Sequence, residues 1–134
     1  MKLYVLDASA WIRLFIPDGP TPAGLEEAAE DVQQGIADFV APELILIEAA
    51  HALAKMRQRN AITPSEREAL WRDMRRTPIH LRPIADHVED AIALSETLHL
   101  TAYDALYLAL AHHLGAPLLT ADKDLERAAR LKRS

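Results

Sequence analysis

Cysteine is absent from the 134 residues. That excludes a disulfide scaffold, a thiolate zinc site and a cysteine nucleophile together, and it fits a reducing cytoplasm. No apolar run is long enough to span a bilayer, and Met1-Lys2 leads straight into an apolar stretch, so neither a membrane span nor a signal peptide is expected. His112-His113 lacks the His-x-x-x-His spacing of a zinc site and reads as surface or helix-end packing. Positive charge is also short: 15 Lys and Arg stand against 20 Asp and Glu, a net charge of -5, so bulk electrostatics do not mark a nucleic-acid binder. There is no repeat, low-complexity tract or interdomain linker. The length therefore predicts one domain over residues 1–134, and a hydrophobic share of 50% is enough to give it a core.

What is present begins with Leu3-Tyr4-Val5-Leu6, an apolar run that ends on Asp7. Such a run reads as a buried strand of a parallel sheet, and ligands of open α/β sheets sit outside the carboxyl ends of the strands. Ser9 is placed to cap a short helix reaching Ile16, which Pro17-Asp18-Gly19-Pro20 stops. Further helices are expected over 23–36, from Pro42 to about Asn60, from the Thr63-Pro64-Ser65-Glu66 capping box to near Thr77, over 84–99, from Thr101 to Gly115, and after Asp122. Strands are expected at 38–41, 79–82 and 117–120. This alternation predicts a three-layer α/β/α fold around a parallel sheet of four strands, with a fifth left open.

Four carboxylates stand out, each with a structural alternative. Asp7 ends the first strand but could serve as a helix cap. Glu48 interrupts the apolar helix Leu44-Ile45-Leu46-Ile47-Glu48-Ala49-Ala50, where an unpaired carboxylate costs several kcal/mol; its alternative is a salt bridge to Arg13 or Lys55. Asp104 lies three residues after Thr101 and could be the acid of a capping box. Asp122 follows the fourth strand, and Asp124 competes with it for a turn or cap role. As a set they mean more: two acids after strands on one sheet edge and two on buried helices would repel unless a cation neutralised them. Hard ions such as Mg²⁺ take such oxygen ligands.

Val5-Leu6-Asp7-Ala8-Ser9, Pro42 with Glu48-Ala49-Ala50-His51-Ala52-Leu53, Thr101 to Ala109, and Leu119-Thr120-Ala121-Asp122 together resemble PIN-domain ribonucleases, with the small VapC-type toxins of toxin–antitoxin pairs the nearest likeness. The resemblance implies that Asp7, Glu48, Asp104 and Asp122 form a catalytic Mg²⁺ or Mn²⁺ site that cleaves RNA to 5′-phosphate and 3′-hydroxyl ends. It implies supporting hydroxyls at Ser9 and Thr120, and an extra acid at Asp124. It also implies an antitoxin and a homodimer as partners, both using the helical region from Lys55 to Arg82. The chain departs from the family pattern at His51, where Asn is common, and in stopping at Leu131-Lys132-Arg133-Ser134, where a final strand usually follows.

Three other readings compete. Glu48-Ala49-Ala50-His51 and Glu96-Thr97-Leu98-His99 both fit the Glu-x-x-His pattern of di-iron helical bundles, although strands at Asp7 and Leu118-Leu119 do not belong in a bundle. A non-catalytic PIN-like module that binds RNA or protein is the second. A receiver-type fold is the third, but it needs paired acids after its first strand where Ala8-Ser9 stand. The basic run from Lys55 to Arg82 is a solvated face in the structural alternative. In the functional one Arg72, Arg75 and Arg76 hold RNA backbone. Tyr103 and Tyr107, with Leu106 and Leu110, are expected in the core rather than as a base-stacking platform.

Overall fold

The computed structural model describes residues 1–17 and 19–131. Strand β1 (Lys2–Leu6) runs through the sheet with Tyr4, Val5 and Leu6 buried, as a continuous apolar run between two neighbours should. It pairs in parallel with β2 (Ala37–Pro42) on one side and β4 (Leu118–Leu119) on the other, and β3 (Ile79–Arg82) pairs in parallel with β2. Among the described residues the order is β3-β2-β1-β4, four parallel strands as expected. A fifth strand would fall on residues 132–134, outside the described part.

Between the strands lie α1 (Ala8–Arg13), α2 (Leu25–Gln33), α3 (Leu44–Gln58), α4 (Pro64–Met74), α5 (Val88–Leu98), α6 (Ala102–Leu114) and α7 (Lys123–Arg130). Helix α6 is buried without a break from Ala105 to Ala111 and packs on β1, β2, α5 and α7, so it forms the central helix of the core. Thr101 caps its first turn and Gly115, at φ 61°, ends it in the left-handed conformation that glycine adopts without a Cβ penalty. The Thr63–Glu66 capping box opens α4 with both reciprocal bonds formed.

Four local expectations need correction. Pro42 does not open a helix. It is the last residue of β2, where the parallel pairing with Arg82 of β3 holds it in the sheet. The ladder continues through Glu43, whose N–H donates to the Arg82 carbonyl at 3.0 Å, and α3 starts at Leu44. Ser9 does not cap α1; Asp7 does, accepting from the Ala10 N–H at 2.9 Å. The helix expected over 84–99 is a 3-10 turn at Ala85–His87 followed by α5, which ends at His99 in the left-handed region. Tyr103 is 61% exposed, whereas Tyr107, Leu106 and Leu110 are in the core as expected. Tyr103 sits in the first turn of α6, ahead of the stretch that packs inside.

Candidate active site

The carboxyl ends of β1 and β4 lie side by side, and the chain leaves both through a short turn into a helix. Asp7 is 4% exposed, and both of its oxygens accept hydrogen bonds. Oδ1 accepts from Ser9 Oγ at 2.7 Å and from the Ala10 N–H; Oδ2 accepts from Thr120 Oγ1. The hydroxyls are themselves held, because Ala121 N–H donates to Ser9 Oγ at 2.9 Å and Asp122 N–H donates to Thr120 Oγ1 at 3.0 Å. Burial pushes the Asp7 carboxyl above its ordinary value, while the bonds from Thr120, Ala10 and Ser9 pull it back and nearby Glu48 adds to the rise. A buried carboxylate with this many donors is fixed in position.

Asp104 arrives from the first turn of α6. The Thr101 hydroxyl accepts from its N–H at 3.0 Å, but the second bond of a capping box, present at Thr63–Glu66, is not formed here. Its side chain is pushed up to about 6, first by burial and then by the charges of Asp122, Asp7 and Glu48, with the Thr101 hydroxyl working against the rise. Asp122 caps α7, its Oδ1 accepting from the Leu125 N–H at 2.8 Å. Glu48, half-buried on α3, accepts a 2.6 Å bond from the Tyr107 hydroxyl of α6. No ion pair joins it to Arg13 or Lys55 among the described residues: the Arg13 guanidinium donates to the Pro20 carbonyl at 2.7 Å instead.

Asp7, Ser9, Glu48, Asp104, Tyr107 and Asp122 line one cavity of about 350 Å³, which Arg13 and the apolar side chains Ile12, Ile16 and Met56 extend. Thr120 lies behind Asp7 and is 3% exposed. The structural alternatives thus coexist with the site: Asp7 and Asp122 do cap helices, and Asp104 does sit in a first turn. Three helix N-termini point their partial positive charge at the acids, which eases their mutual repulsion. Asp124 is elsewhere, paired with Arg127 at 3.2 Å in solvent. His51 and the three arginines Arg72, Arg75 and Arg76 are exposed and do not line the cavity; Arg75 lies over the Trp71 ring at 5.7 Å.

Two residues at the cavity carry roles that the sequence alone does not give them. Arg13 contributes a cation to an otherwise acidic wall. Tyr107 follows Asp104 by one helical turn, the spacing that puts two side chains on one face, and a buried tyrosine needs an acceptor; those two facts are the available signal.

Fold and site together define an α/β protein with a carboxylate centre at the carboxyl edge of a parallel sheet. The PIN domain profile matches residues 4–131. Ribonuclease VapC3 of Pyrobaculum aerophilum is 33% identical over 132 residues, covering 93% of this chain and 92% of that protein. Ribonuclease VapC3 of Mycobacterium tuberculosis is 34% identical over 88 residues, covering 66% of this chain and 63% of that protein. A crystal structure from Pyrobaculum aerophilum superposes with a TM-score of 0.72 at 19% identity, over 96% of this chain and 81% of that one. The structure of VapC20 from Mycobacterium tuberculosis, described as a toxin that cleaves the sarcin-ricin loop, superposes with a TM-score of 0.59 at 14% identity, over 97% and 98%. The chain belongs to the PIN-domain family.

Proposed function

We propose that this chain is a metal-dependent endoribonuclease of the VapC type, hydrolysing RNA phosphodiester bonds with Mg²⁺ or Mn²⁺. The observation that carries the reading is the meeting of Asp7, Glu48, Asp104 and Asp122 on one cavity from four separate segments. The likeness to proteins named ribonuclease over nearly the full chain supports it. A di-iron bundle is incompatible with four parallel strands, and Glu96 and His99 are both exposed.

The donor set fits a hard divalent cation: every candidate ligand is a carboxylate oxygen, and burial with the charges of the other three acids raises the Asp104 carboxyl, a repulsion that a cation would relieve. Among the described residues no three His, Asp or Glu side chains form a ready-made cage. Mg²⁺ does not require one, since it is commonly bound through one or two carboxylates while keeping waters and substrate phosphates. Asp7, Asp104 and Asp122 would hold the ion, with Glu48 as a ligand or as the acceptor that orients the attacking water. When bound, the ion supplies charge neutralisation at the phosphate and a more acidic water.

The chain's own residues do the rest. Asp7 stays fixed through Ser9, Ala10 and Thr120. Arg13 offers a cation to a phosphate entering the acidic wall, and Ile12, Ile16 and Met56 give an apolar shoulder on which a base or ribose can rest. Products carry 5′-phosphate and 3′-hydroxyl ends. The partners this reading brings are an antitoxin and a second copy of the chain, and the compartment is the cytoplasm. Among the described residues no helix is long and apolar enough to cross a membrane.

Incubation with a single-stranded RNA oligonucleotide in Mn²⁺, in Mg²⁺ and in EDTA tests the proposal. Cleavage with either metal, silence in EDTA and loss of cleavage in Asp104→Asn are expected. Cleavage undiminished by EDTA would sink it.

A further inference from the structure

Outside the four acids, Tyr107 brings a buried hydroxyl to the cavity wall. Tyr107 is 1% exposed and sits in the middle of the most buried helix of the chain. A phenol packed this tightly cannot swing to solvent, so its hydroxyl must meet an acceptor where it stands. That acceptor is Glu48 Oε1, at 2.6 Å, the short distance of a hydrogen bond to a charged oxygen. The two residues are 59 positions apart and belong to α6 and α3, so the bond ties two helices across the cavity wall.

We infer that Tyr107 is a positioning residue for Glu48: it fixes the carboxylate in one orientation, engaging Oε1 and leaving Oε2 for the metal or the attacking water. The inference rests on the nuclease reading above and adds a residue to it. Three observations make the role specific. Asp7 is locked by three donors and Asp122 by the start of α7, so both are already immobile. Glu48 has no such local support. It stands in mid-helix, its side chain has three torsions to order, and Tyr107 is the one hydrogen-bond donor that meets it among the described residues. Finally, Asp104 and Tyr107 share one helix face one turn apart, so any shift of α6 moves an acid and the anchor of a second acid together. Hydrogen-bond partners of ligating carboxylates typically carry 10–100-fold of metal affinity or activity, and a misplacement of about 1 Å can cost roughly 100-fold in rate.

Tyr107→Phe removes one oxygen and keeps the ring, so the core stays filled. The experiment compares wild type, Tyr107→Phe, Glu48→Ala and the double variant, each checked for folding by thermal melting. Steady-state RNA cleavage in Mn²⁺ is measured, and Mn²⁺ binding is followed separately by electron paramagnetic resonance without RNA. Tyr107→Phe should lower kcat or Mn²⁺ affinity by about 10–100-fold while leaving the KM for RNA within about 2-fold. In the Glu48→Ala background, which lacks the catalytic carboxylate, the same substitution should leave the Mn²⁺ affinity unchanged, because the residue acts only through that carboxylate. Equal effects in both backgrounds, or a Tyr107→Phe protein with the wild-type kcat and Mn²⁺ affinity, would overturn the inference while wild-type cleavage kept the nuclease reading intact. Wild type that binds Mn²⁺ but leaves RNA whole would overturn that reading, and the Mn²⁺ constants would then decide the role of Tyr107 as an anchor of the metal site.

Discussion

Thr120 donates its hydroxyl to Asp7 Oδ2 across 113 residues of sequence, joining the end of β4 to the end of β1. Both groups are buried, and both belong to short turns where a strand passes into a helix. Thr120→Val keeps the shape and leaves a buried carboxylate oxygen short of a donor. The expected loss is about 1–3 kcal/mol of stability, with cleavage reduced at least about 10-fold. Thr120→Ser should retain most of both. Chemical denaturation and RNA cleavage of the pair check this, and a valine variant with wild-type stability and rate would show that the bond is idle.

Asp104→Asn should abolish cleavage yet leave the metal-free protein as stable as wild type or more so, because it removes one charge from four that crowd a cavity. Excess Mn²⁺ should raise the melting temperature of wild type far more than that of the variant. At roughly 100 times the dissociation constant a bound ion adds about 2.7 kcal/mol. A first-turn acid with only a structural role would instead cost about 0.3–1 kcal/mol on removal, with or without metal. Melting curves of both proteins in EDTA and in Mn²⁺ separate the two cases.

The raised Asp104 group also sets a pH dependence. Its carboxyl titrates near 6 when folded, against an ordinary value of 3.8. The folded state therefore holds the proton more tightly than the unfolded chain does. The stabilisation from that proton is complete below 3.8 and is lost as pH rises through about 6. Metal-free wild type should lose stability relative to Asp104→Asn across that window, and Mn²⁺ affinity should rise over the same range because the ion needs the carboxylate. Paired melting temperatures at a series of pH values give the difference; a flat difference would place Asp104 in an ordinary solvated setting.

The arginines of α4 and its C-terminal end pose a separate question. If Arg72, Arg75 and Arg76 hold RNA backbone, their reversal to Glu should weaken RNA binding and flatten its salt dependence by roughly one unit of slope for each phosphate no longer neutralised. Mn²⁺ binding should not change, since none of the three lines the cavity. RNA affinity measured at several salt concentrations decides it, and an unchanged slope returns them to a solvated face.

Much of this architecture is legible in the sequence because its signals are local. An apolar run ending on Asp7, a capping box at Thr63 and a glycine stop at Gly115 each follow from neighbouring residues alone. Pro42 misleads because proline suits both the first turn of a helix and the end of a strand, and only the pairing with Arg82 decides between them. Ser9 misleads in a different way. Its hydroxyl suits a cap, but Asp7 reaches the Ala10 N–H and Ser9 turns to Asp7 and Ala121. Tyr107 escapes notice because its hydroxyl finds its partner 59 residues away, and a tyrosine in an apolar helix reads as filler. Glu48 is visible as an anomaly in its apolar helix, whereas Asp7, Asp104 and Asp122 each pass as a cap or turn residue and gain meaning only as a set. Their shared wall can be inferred only from the parallel order of the strands.

That order has a consequence for how the chain is made. Synthesis delivers Asp7 more than a hundred residues before Thr120, Ala121 and Asp122, and β4 must dock beside β1 before Oδ2 of Asp7 finds its donor. A growing polypeptide still attached to the ribosome, or a product truncated just before Leu118, contains most of the fold and three of the four acids but not the hydroxyl that holds the first of them. The four carboxylates share one cavity only when β4 and the turn after it have been translated, so premature termination yields a protein without Thr120 and Asp122.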